Sequence, residues 1–344
     1  MTDATQSPRR DFDFVLVLGG GNALGAFEAG VYEALHERDL QPDWIVGASI
    51  GAINGALILG SAADRRLETL RRFWRPDAPG MGDPAAPWLP AGLETSRRTA
   101  AAAWTVATGR QGMFGPPLSA MNPWSNDRHA LFETEQLAST LDRMVDFDAL
   151  NSATCRFTAT AVDLATGDDV VFDSNGGRID VRHIRASAAL PVAFPPVEVD
   201  GRWCVDAGVS ANLPLDPVLA EASARPTLCI AVDLLPLGQP LPATLGESAS
   251  RLQDLIFAAQ SRRTIARWRA AHDGDDGART TLLRLAYGGQ EVEVAGKAFD
   301  FSGPTIRQRW SAGYQTAHRA LGGLDDGTLP LGAPGLNVVD VEPG

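Results

Sequence analysis

The stretch "VLVLGGGNALGAFEAGVYEAL", Val15 to Leu35, joins an apolar run, three glycines and an amphipathic segment without a break. A continuous apolar run that ends in glycine is typical of a strand buried in a parallel sheet. We therefore predict a strand over Phe14–Leu18 and a helix over Ala26–Arg38. "DWIVGAS" and "IGAINGALILG" repeat this pattern as far as Gly60. Strand, helix, strand, helix forms a βαβ unit, which predicts an α/β fold with helices on both faces of a parallel sheet.

Composition narrows the class of protein. The 344 residues carry a formal net charge of −12, with 44% hydrophobic and 21% charged residues. This charge argues against a nucleic-acid partner and gives no help in docking onto anionic lipid. No apolar run is long enough for a transmembrane helix, and "MTDATQSPRRDFDF" lacks the apolar core of a secretory signal. Cys155, Cys204 and Cys229 have no metal-ligand spacing. We expect a soluble cytoplasmic protein, in which any membrane contact is peripheral and mainly apolar.

The domain organisation is inferred from changes in amino-acid composition along the chain. We predict one domain over residues 13–325, between a disordered stretch at 1–12 and a tail at 326–344. Its last part, from about residue 240 to 325, contains a helix near 246–272 and a final helix that starts after Ser302.

Residues 76–127 read as an insertion in this domain. Two Pro/Gly-rich segments flank a predicted helix over Leu93–Thr108. Half of the tryptophans lie in or beside it, namely Trp74, Trp88, Trp104 and Trp124. Two interpretations stay open: a helical insertion packed on the sheet, or a lid or apolar rim that meets lipid.

The motif "GASIG", Gly47–Gly51, has the form G-x-S-x-G where the second predicted strand turns into a helix. A nucleophile elbow takes this position, with Ser49 exposed on a tight turn. The small residues on either side let strand and helix approach closely, and the helix N-terminus favours negative charge nearby. Ser49 is the candidate nucleophile.

The opening glycines can hold either a nucleotide phosphate or an oxyanion through their amides. A dinucleotide-binding loop needs G-x-G-x-x-G, but Leu24 stands where the third glycine would be. No G-K-[ST] follows, so the loop is not a P-loop. A dinucleotide-binding enzyme therefore stays the weaker alternative. The predicted oxyanion donors are the amides of Gly20, Gly21 and Asn22.

A serine nucleophile needs a general base. An α/β-hydrolase uses a late histidine, but His272 is predicted to end a helix and His318 to lie in the amphipathic last helix. Asp206, in "VDAGVSANLP", stands at a predicted strand end with a glycine two residues on. A lone D-x-G is usually a turn. Here it follows a glycine-rich strand end and G-x-S-x-G in that order, so Asp206 is the candidate base.

These three elements together resemble the patatin-like phospholipase family, whose signature is a glycine-rich oxyanion loop, GxSxG on an elbow and DG[GA] with a catalytic aspartate. "ASAALPVAFPPVEVDG" resembles the family's approach to that aspartate, and "FDFSGPTIRQRWSAGY" resembles a C-terminal extension of one bacterial subgroup. The resemblance implies a three-layer α/β/α fold with a mostly parallel sheet. It also implies a Ser49–Asp206 dyad without histidine, acting on a lipid or ester substrate with no metal or cofactor.

Three departures from the family pattern bear on activity. Asn22 takes the place of the third loop glycine, Leu24 stands where the family often has Arg or Lys, and Ala207 stands where glycine follows the aspartate. Asn is the non-glycine residue most tolerant of positive φ. The resemblance implies a serine lipid acyl hydrolase of phospholipase A or carboxylesterase type. The departures motivate a second hypothesis, a catalytically weak lipid-binding scaffold. The sequence does not determine the oligomeric state.

Overall fold

The computed structural model describes residues 10–75, 91–117, 130–221, 223–235, 238, 241–273 and 277–341. The strands within these ranges are β1 Asp13–Leu18, β2 Trp44–Ala48, β3 Arg156–Asp163, β4 Asp169–Asp173, β5 Val197–Val199, β6 Arg202–Asp206, β7 Thr227–Asp233, β8 Arg279–Ala286 and β9 Gly335–Val341. The helices are α1 Ala26–Glu37, α2 Ile50–Leu59, α3 Arg66–Trp74, α4 Ala91–Thr108, α5 Glu135–Met144, α6 Phe147–Ser152, α7 Val181–Ser187, α8 Gly208–Ala211, α9 Asp216–Leu219, α10 Leu245–Ala271 and α11 Gly303–Asp325.

The strands form one mixed sheet in which hydrogen-bonded neighbours follow the order β5-β6-β3-β2-β1-β7-β8-β9, and β4 also pairs with β3. β2 and β6 pair with successive parts of one edge of β3, and β4 pairs with its other edge. All pairs from β3 through β2, β1, β7 and β8 to β9 are parallel. Antiparallel pairing is confined to β3–β4, β3–β6 and β5–β6. The predicted α/β class with a mostly parallel sheet is confirmed.

Both faces of the sheet are covered, which gives the three layers. In β1, Phe14, Leu16 and Leu18 join a core that also contains side chains of α1, α2 and α11. Val15 and Val17 point the other way, into a core with side chains of α9 and α10. Because both faces of β1 are buried, every one of these positions is apolar and the strand appears in the sequence as a continuous apolar run.

The final helix α11 packs directly against α1. A Cβ at Gly30 would lie 1.9 Å from the carbonyl oxygen of Trp310, and one at Gly313 would lie 1.9 Å from that of Phe27. Only glycine at these two positions lets the helix backbones come so close. The C-terminal helix is therefore joined to the helix that follows the glycine-rich loop.

Two strands, β5 and β9, lie where we did not predict them. β5 forms a hairpin with β6, the strand predicted to end at Asp206, and the hairpin turns at Asp200 and Gly201, both with positive φ. β9 lies in the segment predicted as a tail, so that prediction is wrong for residues 335–341.

Other predictions meet the structure at the helices. The insertion helix begins at Ala91 rather than Leu93. Trp88, Trp124 and residues 1–9 of the predicted disordered stretch lie outside the described residues. Among the described helices, none combines the length and hydrophobicity needed to cross a bilayer.

Candidate active site

Ser49 lies on a strained turn between β2 and α2. Its φ of 56° and ψ of −122° are unusual for a non-glycine residue. A Cβ at Gly47 would lie 2.5 Å from the Ala52 nitrogen, and one at Gly51 would lie 2.2 Å from the Leu18 carbonyl oxygen. The small residues predicted on either side of the serine are therefore required, and the turn has the geometry of a nucleophile elbow.

The register of β3 brings Ser49 and Asp206 together. Ala48, at the end of β2, pairs with Thr160 of β3. The next residue of β3, Ala161, pairs with Asp206 on the same edge, because β4 occupies the other edge. Ser49 directly follows Ala48, so the two candidate catalytic residues occupy neighbouring positions along β3. Both line one cavity.

Asp206 is a buried carboxylate, 3% exposed. Burial raises the pKa of Asp206 to about 6, and the Ser49 side chain and the Gly208 amide oppose this rise. The Gly208 N–H donates to Asp206 Oδ1 at 2.7 Å, which fixes the carboxylate. A carboxylate with this pKa is a stronger base than one in water, and it is still ionised at neutral pH.

The glycine-rich loop supplies two available amides, not three. The Gly20 N–H donates to the Asn212 carbonyl oxygen at 2.9 Å, so the prediction of Gly20 as an oxyanion donor is not supported. Gly21 and Asn22 line the cavity with Ser49. Within the described part of the chain, neither of their amides has a hydrogen-bond acceptor. They are the donors that can meet an oxyanion.

Asn212 holds this loop, and sequence analysis missed it. Besides accepting from the Gly20 amide, Asn212 donates through Nδ2 to the Gly20 carbonyl oxygen at 3.0 Å. A Cβ at Gly20 would lie 2.4 Å from Asn212 Oδ1, so the clamp also requires glycine there. Gln260 of α10 accepts from the Asn212 amide at 2.9 Å and donates to the Gly208 carbonyl oxygen at 3.0 Å. The loop and the aspartate turn are thus held by one set of hydrogen bonds.

Asn22 and Ala207, the two departures from the family pattern nearest to Ser49 and Asp206, suit the backbone conformations at their positions. Asn22 has a φ of 51°, which asparagine tolerates better than other side chains. Ala207 has φ −60° and ψ −21°, an ordinary right-handed helical conformation. Neither position therefore requires glycine. Leu24, where the family often has a basic residue, is buried and lines the cavity.

A buried polar network ties the loop to the helix behind the elbow. Asn54 Nδ2 donates to the Gly25 carbonyl oxygen at 3.0 Å and to Glu28 Oε2 at 2.8 Å. Asn54 Oδ1 accepts from Trp74 Nε1 at 2.9 Å. Burial raises the pKa of Glu28 well above its ordinary value. These contacts join α1, α2 and α3 around the turn that follows the loop.

The cavity at Ser49 has a volume of about 280 Å³ and a largely apolar lining. Large apolar side chains from distant parts of the chain supply that lining, among them Ile53, Met113, Phe114, Phe194, Phe257 and Phe299. Met113 and Phe114 belong to the predicted insertion, so this part of it forms a cavity wall. In α4 of the same insertion, Ala101 and Ala102 are buried. In its described part, the insertion both packs on the body and shapes the cavity.

One ion pair interrupts the apolar lining. Lys297 Nζ donates to Asp254 Oδ2 and to Gln290 Oε1, each at 2.7 Å. Lys297 and Asp254 are both buried and both line the cavity. Burial lowers the pKa of Lys297, while Asp254 opposes this change. The pair connects α10 to the 3-10 turn at Lys297–Phe299 on the cavity wall.

No histidine of the described residues lines the cavity. His272 follows the last residue of α10, and His318 is exposed on α11. His183 caps the start of α7 through Asp180. His129 lies outside the described ranges. Among the described residues, the arrangement at the cavity is therefore a serine beside a buried aspartate.

Known proteins include relatives that match about two thirds of this chain. The chain is 29% identical over 230 residues to an uncharacterized NTE family protein of Mycobacterium tuberculosis, covering 67% of this chain and 50% of the relative. It is 27% identical over 237 residues to patatin-like phospholipase domain-containing protein 6 of Homo sapiens, covering 68% of this chain and 14% of the relative. This chain therefore spans half or less of the length of these relatives.

Solved structures give more distant likenesses. VipD from Legionella pneumophila has a TM-score of 0.46 and 13% identity, covering 91% of this chain and 67% of that one. The type III effector ExoU has a TM-score of 0.39 and 16% identity, covering 91% and 53%.

Family models match most of the chain. The patatin-like phospholipase model matches residues 16–219, which contain both Ser49 and Asp206. A second model, described as patatin phospholipase, matches residues 244–325. The chain belongs to the patatin-like phospholipase family.

Proposed function

We propose that this member of the patatin-like phospholipase family is a serine hydrolase that cleaves carboxylic esters of lipids with a Ser49–Asp206 dyad. One observation carries the proposal: the register of β3 sets the strained elbow at Ser49 beside the buried carboxylate of Asp206. The backbone at Asn22 and Ala207 supports an active enzyme over an inactive scaffold, since both residues suit the conformations they adopt.

In the proposed reaction, the Ser49 oxygen attacks the ester carbonyl carbon while Asp206 takes the hydroxyl proton. The negative charge on the former carbonyl oxygen is stabilised by the Gly21 and Asn22 amides. Asp206 returns its proton to the departing alcohol oxygen, which leaves an acyl group on Ser49. Asp206 then removes a proton from water, and the water oxygen attacks the acyl carbonyl carbon. Asp206 returns this proton to the Ser49 oxygen as the acyl–oxygen bond breaks, which releases the carboxylic acid and restores the enzyme.

The substrate class follows from the cavity. An apolar lining favours an acyl chain over a nucleotide, whose phosphates and base need polar partners. The Gly20 amide, which a dinucleotide loop would direct at a pyrophosphate, is already bonded to Asn212. We therefore place lipid esters ahead of dinucleotides. A cytoplasmic location with peripheral access to membranes remains part of this proposal.

Fluorophosphonate labelling followed by mass spectrometry tests the nucleophile, because the probe bonds covalently only to an activated serine. We expect one label on Ser49 and none on the Ser49→Ala variant. Ser187 offers a matched control: its hydroxyl is near the elbow, accepting from the Ser49 amide at 3.0 Å, but has no proposed role in attack. A Ser187→Ala protein should still be labelled.

Hydrolysis of p-nitrophenyl esters of increasing chain length and of phospholipids tests the reaction itself. Turnover that disappears in Ser49→Ala supports the proposal. Bound lipid without labelling or turnover would favour the scaffold hypothesis. Calorimetric binding of NAD(P) together with unlabelled Ser49 would favour a dinucleotide-dependent enzyme.

A further inference from the structure

Four arginines converge on a second cavity of about 1020 Å³. Arg72 and Arg75 come from α3 and the residue after it, Arg110 from the turn that follows α4, and Arg143 from α5. We call this cavity the arginine groove and define it by these four residues. Arg72 and Arg143 are exposed, so their guanidinium groups are accessible to a ligand.

The arginine groove is locally cationic on a chain whose net charge is −12. Its lining contains one carboxylate, Glu135, which already pairs with Arg185 at 2.8 Å. The hydrogen bonds that the four arginines make with described residues go to neutral acceptors. They are the Gln111 side chain for Arg75, the Phe73 and Gln111 carbonyl oxygens for Arg110, and Thr140 Oγ1 for Arg143. Within the described ranges no ion pair offsets these charges.

Without a bound anion, the buried charge of Arg110 destabilises the fold. Its guanidinium lies over the rings of Phe73 and Phe301, at 5.2 and 5.3 Å from their centroids. Burial and, to a smaller extent, the neighbouring charge of Arg75 together lower the pKa of Arg110 to about 10. Removing a charge from water without an opposite charge nearby destabilises a fold. A bound anion would offset both the burial and the repulsion between the two arginines.

We propose that the arginine groove binds a phosphate group. Arginine forks suit oxyanions, and a phosphate presents several oxygens that guanidinium groups from different elements can reach together. A carboxylate, by contrast, has only two oxygens, and one guanidinium group can bind both of them with two parallel hydrogen bonds. Thr140 and Gln136 also line the groove and can donate to a phosphate oxygen.

The arginine groove lies next to the catalytic cavity. The functional link between the two cavities rests on the proposed function. Gln111 and Gly112 line the groove, whereas the next residues, Met113 and Phe114, line the catalytic cavity. The two cavities therefore share a wall. A lipid phosphate held in the groove would keep its bilayer close to the wall of the acyl cavity, and a soluble phosphate ester would use the same arginines.

Binding measurements on Ser49→Ala protein test the proposal, since no lipid is consumed and the result does not depend on catalysis. The probes are inorganic phosphate, followed by calorimetry, and vesicles of phosphatidylcholine with or without phosphatidic acid, followed by co-sedimentation. The test variant adds Arg72→Gln and Arg143→Gln. The control adds Arg269→Gln and Arg319→Gln instead, which removes the same charge from exposed positions outside the groove.

We expect binding of phosphate and of phosphatidic acid vesicles, weakened about tenfold or more by the groove substitutions and unchanged in the control. Thermal unfolding should be alike in all three proteins. Binding of inorganic phosphate without binding of vesicles would assign the groove to a soluble phosphate ester. The proposal is overturned if neither probe binds, or if the groove and control variants lose affinity equally. Fluorophosphonate labelling of the native protein remains an independent test of the hydrolase.

Discussion

Replacing Asp206 with Asn should destroy activity and stabilise the protein at the same time. Burial raises the pKa of this carboxyl to about 6, so folding favours its protonated form. The stabilising contribution of the protonated group is fully present below its unfolded-state pKa of about 3.9. It is lost as pH rises through about 6, where the buried group must ionise. An asparagine side chain would stay neutral at every pH and could still accept the Gly208 hydrogen bond.

The size of the effect follows from the pKa change. A rise of about two pKa units corresponds to about 3 kcal/mol in the free energy of unfolding. At pH 8 the Asp206→Asn variant should therefore exceed the wild type by about 3 kcal/mol, or about 4 °C in Tm for a chain of this length. About half of the difference should remain near pH 5, and little near pH 3.

Thermal and urea unfolding at several pH values measure this difference. Asp168→Asn is the matched control, because Asp168 is exposed and its substitution should change stability by less than about 0.5 kcal/mol. In the same buffers, kcat/KM of the wild type should rise with pH and reach half of its plateau at about pH 6, since only the ionised base accepts a proton. An Asp206→Asn protein that is no more stable at pH 8, or that keeps its turnover, would refute the reasoning.

Three further predictions, each with its own substitutions, test the rest of the site. Asn22→Pro removes a proposed oxyanion amide and should lower kcat by about 10² to 10³. Asn22→Gly should keep activity, because glycine adopts the positive φ of this position more easily. A folded and fully active Asn22→Pro variant would show that this amide does not stabilise the oxyanion. His272→Ala and His318→Ala should each keep kcat/KM near the wild-type value, and a large loss with unchanged Tm at either would point to a triad. Lys297→Met should lower the free energy of unfolding by about 3 kcal/mol, because Asp254 loses one of its partners, the buried ammonium group. Adding Asp254→Asn should recover much of that loss in urea unfolding.

The glycine-rich loop and the elbow at Ser49 could be predicted from the sequence, because the constraints on them are local. An apolar run, a glycine and a helix-period pattern lie within a few residues of one another at β1 and at β2. The close approaches at Gly47 and Gly51 require small residues, so the elbow has a fixed spacing around Ser49. The position of Asp206 came from motif order and family resemblance, and the register of β3 gives the physical reason for it.

One missed element carried a local signal. "VEVDGRWC" sets Asp200 and Gly201 between alternating apolar residues, which is the pattern of a two-residue hairpin turn. Both residues have positive φ, as that turn needs. The hairpin matters for function, because its second strand β6 ends at Asp206.

Other features depend on contacts between distant parts of the chain and could not be predicted. Asn212 lies 192 residues from Gly20, and nothing in its own neighbourhood distinguishes it from a turn residue. β9 forms because β8 offers a free parallel edge, a property of the completed sheet. The ion pair of Lys297 and Asp254 likewise joins two segments that only the fold brings together.

The two parts of the chain contribute differently to the proposed reaction. Residues 16–219 contain the proposed nucleophile, the proposed base and the glycine-rich loop, each held by the mixed sheet or by a turn at the end of one of its strands. Residues 244–325 contain no group of the dyad, yet they supply Phe257, Phe299 and the Lys297 ion pair to the cavity. They also support the catalytic part, since Gln260 holds the aspartate turn and α11 packs against α1. In the proposed enzyme the first segment thus supplies the reacting groups, whereas both segments shape the acyl cavity. Variation in the second segment can therefore change substrate preference without changing the reaction.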